Sequence, residues 1–406
     1  MSGTSPINYA AASAQPARWS RPPIWLDPVV GWAILFALIT RTCLAIASWI
    51  SLRVFDKLPL YPAQRPDSFF PDNPGLDGWV RWDSAHLIEL ARAGYGSGNT
   101  SPGEGWGFFP LYSLLMRGMV EATFLPVTEQ NLALAGLVIA NLCFIALVAL
   151  TARWSADLFG DDAARMTILL LCLSPFSYFF NAAYTESLFM LLVVATLMLA
   201  NSNRWFAAGA VAGLATATRL VGLALIPALL YLAWKRKISL IETVTCIGLS
   251  AYGVLAFGMY SAFRTGNPFQ YFDAQANWGD WGDHVGDYIR LFVTQPREAL
   301  GGDPRHLVIM LNVLLLIVAL AWLPAVWRRL DSATALYTTL IVVVQGAMTW
   351  VSLGRYLLPA IGVYLVAGRW LAESRRSPWT RDSVVAIGTI ALTTLLILFA
   401  HGFWAI

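Results

Sequence analysis

An acidic residue at the start of a short amphipathic stretch is the first feature of this sequence that could do chemistry. Asp83 lies in the segment RWDSAH, and residues 84–93 place their apolar side chains on one face of a predicted helix. A carboxylate held there could accept a proton from a hydroxyl group. The simpler interpretation is that Asp83 only caps the helix, which Gly94 would end. The residues alone leave both interpretations open.

Three further charged residues border apolar runs. Arg219 and Arg355 fall at turns between such runs, where an unpaired charge is costly and usually functional. A guanidinium can bind a phosphate through two parallel hydrogen bonds, so a lipid phosphate is a natural partner for either arginine. The alternative is an interfacial arginine or one paired with a glutamate. Glu186 opens another run, where it could favour the positive helix end, hold an arginine or act in catalysis.

Arg41 differs from these residues because it lies inside the first apolar run. Such an arginine either extends its charge to the membrane surface or pairs with an acid. The sequence does not decide between the two.

An acidic segment containing tryptophan, residues 277–288, is a second candidate site. Clustered carboxylates can hold Ca²⁺ or Mn²⁺, but this spacing fits no EF-hand, and Gly-Asp pairs are ordinary turn residues. Trp281 could instead stack on a sugar ring. We therefore expect no metal ion and no other cofactor.

The chain that must position these residues has the composition of an integral membrane protein. Hydrophobic residues make up 57% of the 406 residues and charged residues only 13%, against roughly 25% charged in a typical soluble chain. Apolar runs long enough to cross about 30 Å of hydrocarbon recur along it. The net charge of +3 is too small to indicate nucleic-acid binding. We expect membrane lipids around the protein and no nucleic-acid partner.

We predict an all-α polytopic membrane protein with about eleven transmembrane helices. The predicted spans are 28–50, 131–152, 166–182, 185–202, 205–218, 220–234, 240–262, 306–326, 333–350, 356–371 and 383–404. Lys and Arg in the short loops place the N-terminus in the cytoplasm. The same rule places two long loops, 51–130 and 263–305, outside, each containing short interfacial helices. We expect residues 1–27 to be a disordered cytoplasmic tail and 28–404 to be one transmembrane domain.

Several sequence blocks, in a fixed order over most of the chain, carry a resemblance to a known family. The first is RWDSAHLIELARAGYG followed by GFFPLYSLLMR, and the others are SPFSYFFNAAYTESLFMLL at 174–192, ATRLVGLALIPALL at 217–230 and GRYLLPAIGVYL at 354–365. Together they resemble the PIG-V family of polyprenyl-phosphate-mannose-dependent mannosyltransferases, in the GT-C superfamily. The chain departs from the usual pattern at Ala85-His86-Leu87, where many relatives have a small residue and then aromatic residues.

The resemblance implies a GT-C type fold and the inverting transfer of mannose from a polyprenyl-phosphate donor to a lipid-linked or glycan hydroxyl. Asp83 matches the residue taken as the catalytic base, and Arg219 and Arg355 match block arginines that we expect to bind the donor phosphate. The further candidates for support or substrate binding are Glu186, Arg81, Trp82, His86, Tyr184, Tyr356 and Trp281. The site would lie outside the cytoplasm, at what we expect to be a bacterial plasma membrane.

Three alternatives remain open. A lipid or glycolipid transporter or flippase would also have many spans and intramembrane charges, although transporters place their polar residues near the bilayer midplane. A non-catalytic assembly subunit would tolerate substitution of Asp83 and the arginines. A GT-C enzyme that uses another polyprenyl-phosphate sugar would differ only in its donor.

Overall fold

The computed structural model describes residues 21–55, 68–96, 104–276, 304–348, 352–373 and 378–403, and the single residues 290 and 294. Within these ranges every regular element is a helix. Residues 1–20 of the predicted tail lie outside them. The candidate segment 277–288, with Trp281, also lies outside the described residues.

Sixteen α-helices follow one another along the described residues. They are α1 (Pro28–Val54), α2 (Pro74–Asp77), α3 (Asp83–Ala93), α4 (Leu111–Ala122), α5 (Glu129–Phe159), α6 (Asp161–Leu173), α7 (Glu186–Asn201), α8 (Trp205–Thr216), α9 (Leu225–Arg236), α10 (Leu240–Thr265), α11 (Gln270–Ala276), α12 (Pro304–Arg329), α13 (Ser332–Met348), α14 (Leu353–Tyr356), α15 (Ile361–Glu373) and α16 (Pro378–Ala400). Short 3₁₀ helices lie at Ile24–Leu26, Glu104–Gly107, Ser177–Phe180 and Leu220–Ala224. Each of the eleven predicted spans overlaps one of the longer α-helices, although the ends differ by several residues in most cases.

Five of the described helices are long and apolar enough to cross a membrane, namely α1, α5, α10, α12 from Val308 onward, and α16. Helices α7, α8 and α13 are apolar but shorter, and α6, α9 and α15 have only 13, 12 and 13 residues. A helix of that length measures about 20 Å, less than the thickness of the hydrocarbon layer. Irregular backbone at membrane depth is tolerated where protein buries it.

Prolines account for two of the interruptions. Pro175 follows the last turn of α6, and Pro359 separates α14 from α15. The predicted spans 166–182 and 356–371 are therefore α-helical over only part of their length. Every residue of the segment 176–185, between α6 and α7, is buried in protein.

Helix α3 lies where the sequence predicts it, but its apolar face is covered by protein rather than by lipid. Gly94 ends the helix with a positive φ of 74°. Leu87 and Ile88 are buried, and the Ser113 hydroxyl on α4 donates to the Leu87 carbonyl at 2.8 Å. Because α4 and α5 both pack against α3, the position of Asp83 is fixed relative to the membrane helices.

Small residues let α8 and α10 approach each other closely. A Cβ at Gly209 would lie 2.5 Å from the Cys246 carbonyl oxygen, and one at Gly253 would collide with the Ala217 backbone. Close packing of this kind is a common source of helix association in membranes. It fixes the end of α8, from which the chain turns into Arg219.

Arg41 is buried, and within the described ranges its partners are backbone carbonyls and neutral side chains rather than an acid. Its guanidinium donates to the carbonyl oxygens of Cys172 at 2.5 Å and Ser177 at 2.8 Å, and to the Asn181 side chain at 2.9 Å. The same group lies 4.7 Å from the centre of the Phe144 ring. Arg41 therefore joins α1 to the end of α6, where a positive charge is favourable, and to the irregular segment that follows.

The last residues of the predicted tail pack against the corner between α5 and α6. Arg21 pairs with Asp161 at 2.6 Å, and Asp27 pairs with Arg153 at 3.1 Å. Asp27 also caps α1 by accepting from the Val29 amide. The described contacts of the chain therefore extend into the predicted tail as far as Arg21.

Arg41→Met should destabilise the protein by about 3 kcal/mol, because buried carbonyl groups would lose their donors. Thermal unfolding of the purified protein in detergent measures this effect as a lower melting temperature. Arg53→Met is the matched control on the same helix, because Arg53 is exposed and its contact among the described residues is with the Trp49 ring. Equal melting temperatures for the two variants would contradict the role given to Arg41.

Candidate active site

A strained turn presents Asp83. Trp82 has φ 52° and ψ −115°, a combination typical of the second residue of a type II′ turn, where glycine is favoured. The Ser84 amide donates to the Arg81 carbonyl at 3.1 Å, and this hydrogen bond closes the turn. Strain of this kind costs about 1–3 kcal/mol and clusters at functional sites. Trp82 is the N-cap of α3 and Asp83 its first residue, so the interpretation that Asp83 only caps the helix is wrong.

Two segments hold this turn in place. The Tyr184 hydroxyl donates to the Arg81 carbonyl at 2.9 Å, and the Ala183 amide donates to the Trp79 carbonyl at 3.2 Å. The Arg81 side chain is engaged elsewhere, with Asp77 at 2.7 Å and with a carbonyl at the end of α16 at 3.3 Å. Arg81 therefore anchors the turn, and its backbone rather than its charge serves the site.

Four charged side chains from separate parts of the sequence form one connected chain. The Asp83 carboxylate accepts from Arg355 Nη1 at 2.7 Å, and Arg355 Nε donates to Glu186 Oε1. The same Glu186 oxygen accepts from Arg219 Nη1 at 2.5 Å. Arg219 Nη1 also lies 3.0 Å from the Thr185 hydroxyl. We call the series Asp83, Arg355, Glu186 and Arg219 the charge chain.

Exposure differs along the charge chain. The side chains of Asp83 and Arg219, at the two ends, are 17% and 16% exposed. Those of Arg355 and Glu186, in the middle, are 5% and 2% exposed. Buried charges are tolerated when they are paired in this way. Only the two ends are therefore open to molecules outside the protein.

Aromatic rings surround both guanidinium groups. That of Arg355 lies 4.5 Å from the centre of the Tyr184 ring and 5.1 Å from that of Phe179. That of Arg219 lies 5.2 Å from the centre of the Tyr356 ring. Such contacts stabilise a cation by about 0.5–2 kcal/mol and keep water away from it. The structure thus brings Tyr184 and Tyr356, both predicted site residues, to the charge chain.

The short helix α14 positions Arg355. Ser352, just before it, has a left-handed conformation with φ 63°, and the Gly354 amide donates to the Asn312 side chain on α12 at 2.9 Å. The Phe176 ring lies so close to Gly354 that no Cβ would fit there. The backbone that carries Arg355 is therefore held on two sides.

Arg219 is positioned by the end of α8. The Leu111 amide, at the start of α4, donates to the Ala217 carbonyl at 3.1 Å. This bond joins the GFFPLYSLLMR block to the ATRLVGLALIPALL block two residues before Arg219. Sequence blocks that are far apart along the chain thus contact one another around the site.

His86 and Trp82 pack against apolar neighbours. His86 stacks on Phe108, with ring centres 5.2 Å apart. Trp82 is partly buried and packs against the main hydrophobic core. The structure does not describe Trp281, so its predicted contact with sugar stays a prediction.

Sequence reasoning missed two polar residues that support the site. Asp77, which holds Arg81 and accepts from the Phe70 amide at 3.1 Å, lies four residues before that arginine, a spacing that could have indicated an ion pair. Asn312 was overlooked as a lone amide inside an apolar run. Such a polar group in a span usually has a specific partner.

Tyr271 on α11 brings the second long loop to the site. Burial raises the pKa of its hydroxyl, and Tyr356 adds to the shift while the charge of Arg219 opposes it. Its ring centre is also 5.3 Å from that of Phe109. Tyr271 therefore lies within electrostatic range of the exposed end of the charge chain.

Comparison with known proteins gives direct evidence for the family of this chain. The family described as Mannosyltransferase (PIG-V) matches residues 70–280, more than half of the chain, including Asp83, Glu186 and Arg219. The mouse GPI alpha-1,6-mannosyltransferase 2 is 29% identical over 153 residues, which are 36% of this chain and 30% of the mouse protein. The GPI mannosyltransferase 2 of Drosophila pseudoobscura pseudoobscura is 27% identical over 173 residues, 36% of this chain and 37% of the fly protein. The chain thus spans about a third of the length of these relatives.

A solved structure shares the fold. The crystal structure of ArnT from Cupriavidus metallidurans, bound to undecaprenyl phosphate, matches with a TM-score of 0.50 and 17% sequence identity, over 90% of this chain and 64% of ArnT. The described helices and this likeness define a multi-pass membrane protein with a GT-C type fold. Within that class, the chain belongs to the PIG-V mannosyltransferase family.

Arg355→Lys should break the charge chain, because one ammonium group cannot reach Asp83 and Glu186 with two separate nitrogens. We expect a loss of stability of about 3 kcal/mol, since the buried Glu186 carboxylate would lose one of its two arginine partners. Thermal unfolding in detergent measures the loss. Arg165→Lys on α6 is the control, because its pair with Asp162 is exposed. If the two variants unfold at the same temperature, Arg355 does not hold the chain together.

Proposed function

We propose that the protein is an inverting mannosyltransferase that takes mannose from a polyprenyl-phosphate donor. The observation that carries the proposal is the charge chain, whose accessible ends are a carboxylate and a guanidinium. Transfer from a lipid phosphate to a hydroxyl requires a base and a group that stabilises the leaving phosphate. Two printed names support the substrates: the relatives are GPI mannosyltransferases, and ArnT was crystallised with undecaprenyl phosphate.

In the proposed reaction, Asp83 accepts the proton of the acceptor hydroxyl. The hydroxyl oxygen forms a bond to the anomeric carbon of mannose from the side opposite the phosphate, which inverts the configuration. The bond between that carbon and the phosphate oxygen breaks, and its electron pair stays on the phosphate. The transition state resembles an oxocarbenium ion, as at other glycosidic centres.

The two arginines have different roles in this proposal. Arg219 contacts the donor phosphate, because it is the partly exposed guanidinium of the charge chain. Arg355 was also expected to bind the phosphate, but it is nearly buried and already holds Asp83. We therefore assign Arg355 mainly to orienting the base and to adding positive charge beside the phosphate.

No metal ion takes part in the proposed reaction, because arginines can balance the charge of a leaving phosphate. Within the described ranges, no three His, Cys, Asp or Glu residues are grouped as metal ligands would be. The acceptor is a hydroxyl of a lipid-linked molecule or glycan, and the site faces out from a bacterial plasma membrane with the N-terminus inside.

A transporter fits the geometry less well. Transporters build their substrate sites from broken helices near the middle of the membrane. Here the proposed base lies on α3, in the long loop 51–130 outside the predicted spans, and the charge chain ties that loop to the membrane helices.

Asp83→Asn should reduce mannose transfer by about 1000-fold or more, because the amide cannot accept the proton. The assay incubates the purified protein with radiolabelled polyprenyl-phosphate-mannose and a membrane lipid extract, and measures the labelled product. Folding is checked by gel filtration and thermal unfolding, which should resemble those of the wild type.

The matched control is Glu121→Gln, the same carboxylate-to-amide change on the exposed side of α4, and it should leave transfer unchanged. A wild-type rate of transfer by Asp83→Asn would end the proposal. Labelling only with a donor that carries another sugar would keep the mechanism and replace the substrate.

A further inference from the structure

The middle of the charge chain is placed where a small substrate does not reach it. Arg355 and Glu186 are 5% and 2% exposed, whereas the two ends are more than three times as exposed as either. Both guanidinium groups donate to the same oxygen of Glu186, Oε1. The other oxygen, Oε2, is buried and accepts no hydrogen bond from the described residues. The negative charge of Glu186 is therefore shared between the two arginines.

We propose that Arg355 and Glu186 couple the uptake of a proton by Asp83 to the stabilisation of the leaving phosphate by Arg219. The proposal rests on the function given above, in which Asp83 is the base and Arg219 contacts the phosphate. Neither Arg355 nor Glu186 touches a substrate, so the proposal makes them positioning residues. They also pass the electrostatic effect of protonating Asp83 on to Arg219.

The coupling follows from the charges at each step. Before transfer, Asp83 is negative and the donor phosphate carries one negative charge. The proton of the acceptor then neutralises Asp83, and the electron pair of the broken bond gives the phosphate a second negative charge. Total charge is conserved, but negative charge has left one end of the charge chain and appeared at the other.

The inner pair responds to that shift. When Asp83 is neutral, Arg355 has lost one of its two anionic partners and interacts more strongly with the other, Glu186. Glu186 then interacts less strongly with Arg219. The positive charge of Arg219 is less neutralised as a result, so Arg219 attracts the phosphate more strongly. These changes are large because charges interact more strongly inside protein than in water.

A purely structural role makes a different prediction. Suppose that Arg355 only orients Asp83 and that Glu186 only orients Arg219. The charge on Asp83 then does not change how strongly Glu186 interacts with Arg219. Loss of that charge would then act on phosphate affinity only through its direct field, independently of Glu186. In the purely structural case, the effects of Asp83→Asn and Glu186→Gln on the dissociation constant multiply. In the coupled case they do not.

Binding of undecaprenyl phosphate to the purified full-length protein tests the coupling. Asp83→Asn imitates the protonated base and should bind the ligand about tenfold more tightly than the wild type. Glu186→Gln should also bind more tightly, because it removes the negative charge that competes for Arg219. In the Glu186→Gln background, Asp83→Asn should change the dissociation constant by no more than about twofold.

Two control variants accompany this cycle. Thr185→Val removes the neutral hydrogen bond to Arg219 and no charge, so Asp83→Asn should still tighten binding about tenfold in that background. Arg355→Gln breaks the chain on the other side of Glu186 and should abolish the tightening. It therefore decides the question should Glu186→Gln not purify as a folded protein.

Wild-type affinity in Asp83→Asn, or effects of Asp83→Asn and Glu186→Gln that simply multiply, would overturn the coupling and leave the transferase proposal intact. Two other outcomes overturn the proposed function itself. They are a wild-type protein that does not bind undecaprenyl phosphate and an Asp83→Asn variant that transfers mannose normally.

Discussion

The site depends on one buried carboxylate oxygen. Glu186 Oε1 accepts from Arg355 and from Arg219, and Arg355 in turn holds Asp83. Removing these charges from water is costly unless each finds a partner, so the group is stable only when all its members meet. The requirement forces the first long loop, the start of α7, the end of α8 and the short helix α14 to converge on one place.

The fold meets this requirement with irregular backbone at the ends of its helices. Pro175 ends α6 and leads to the buried segment 176–185, which carries Tyr184 and is followed directly by Glu186 at the start of α7. Trp82 and Ser352 adopt positive φ directly before the elements that carry Asp83 and Arg355. Non-glycine residues rarely adopt such angles unless the surrounding contacts impose them. The helices supply a rigid frame, and these strained positions aim the charged side chains within it.

Much of the fold was predictable because apolar runs and short basic loops determine where helices lie in a membrane protein. Residues such as Asp83 and Arg219 could be chosen individually, since a charge beside an apolar run is costly and therefore informative. Their connection was not predictable, because it joins residues as far as 272 positions apart. The pair of Arg81 with Asp77, by contrast, joins residues only four positions apart, and that spacing could have predicted it. The protein cover on α3 was not predictable, because an apolar face suits lipid and protein equally well.

The central claim is that the two ends of the charge chain face a proton-donating acceptor and a lipid phosphate in one site. An electron cryomicroscopy structure of the protein bound to undecaprenyl phosphate tests this claim most directly. We predict that the phosphate contacts the Arg219 guanidinium, with the Asp83 carboxylate in the same cavity and still linked to Arg355. A phosphate bound away from Arg219, or an Asp83 side chain separated from the phosphate by protein, would contradict the account.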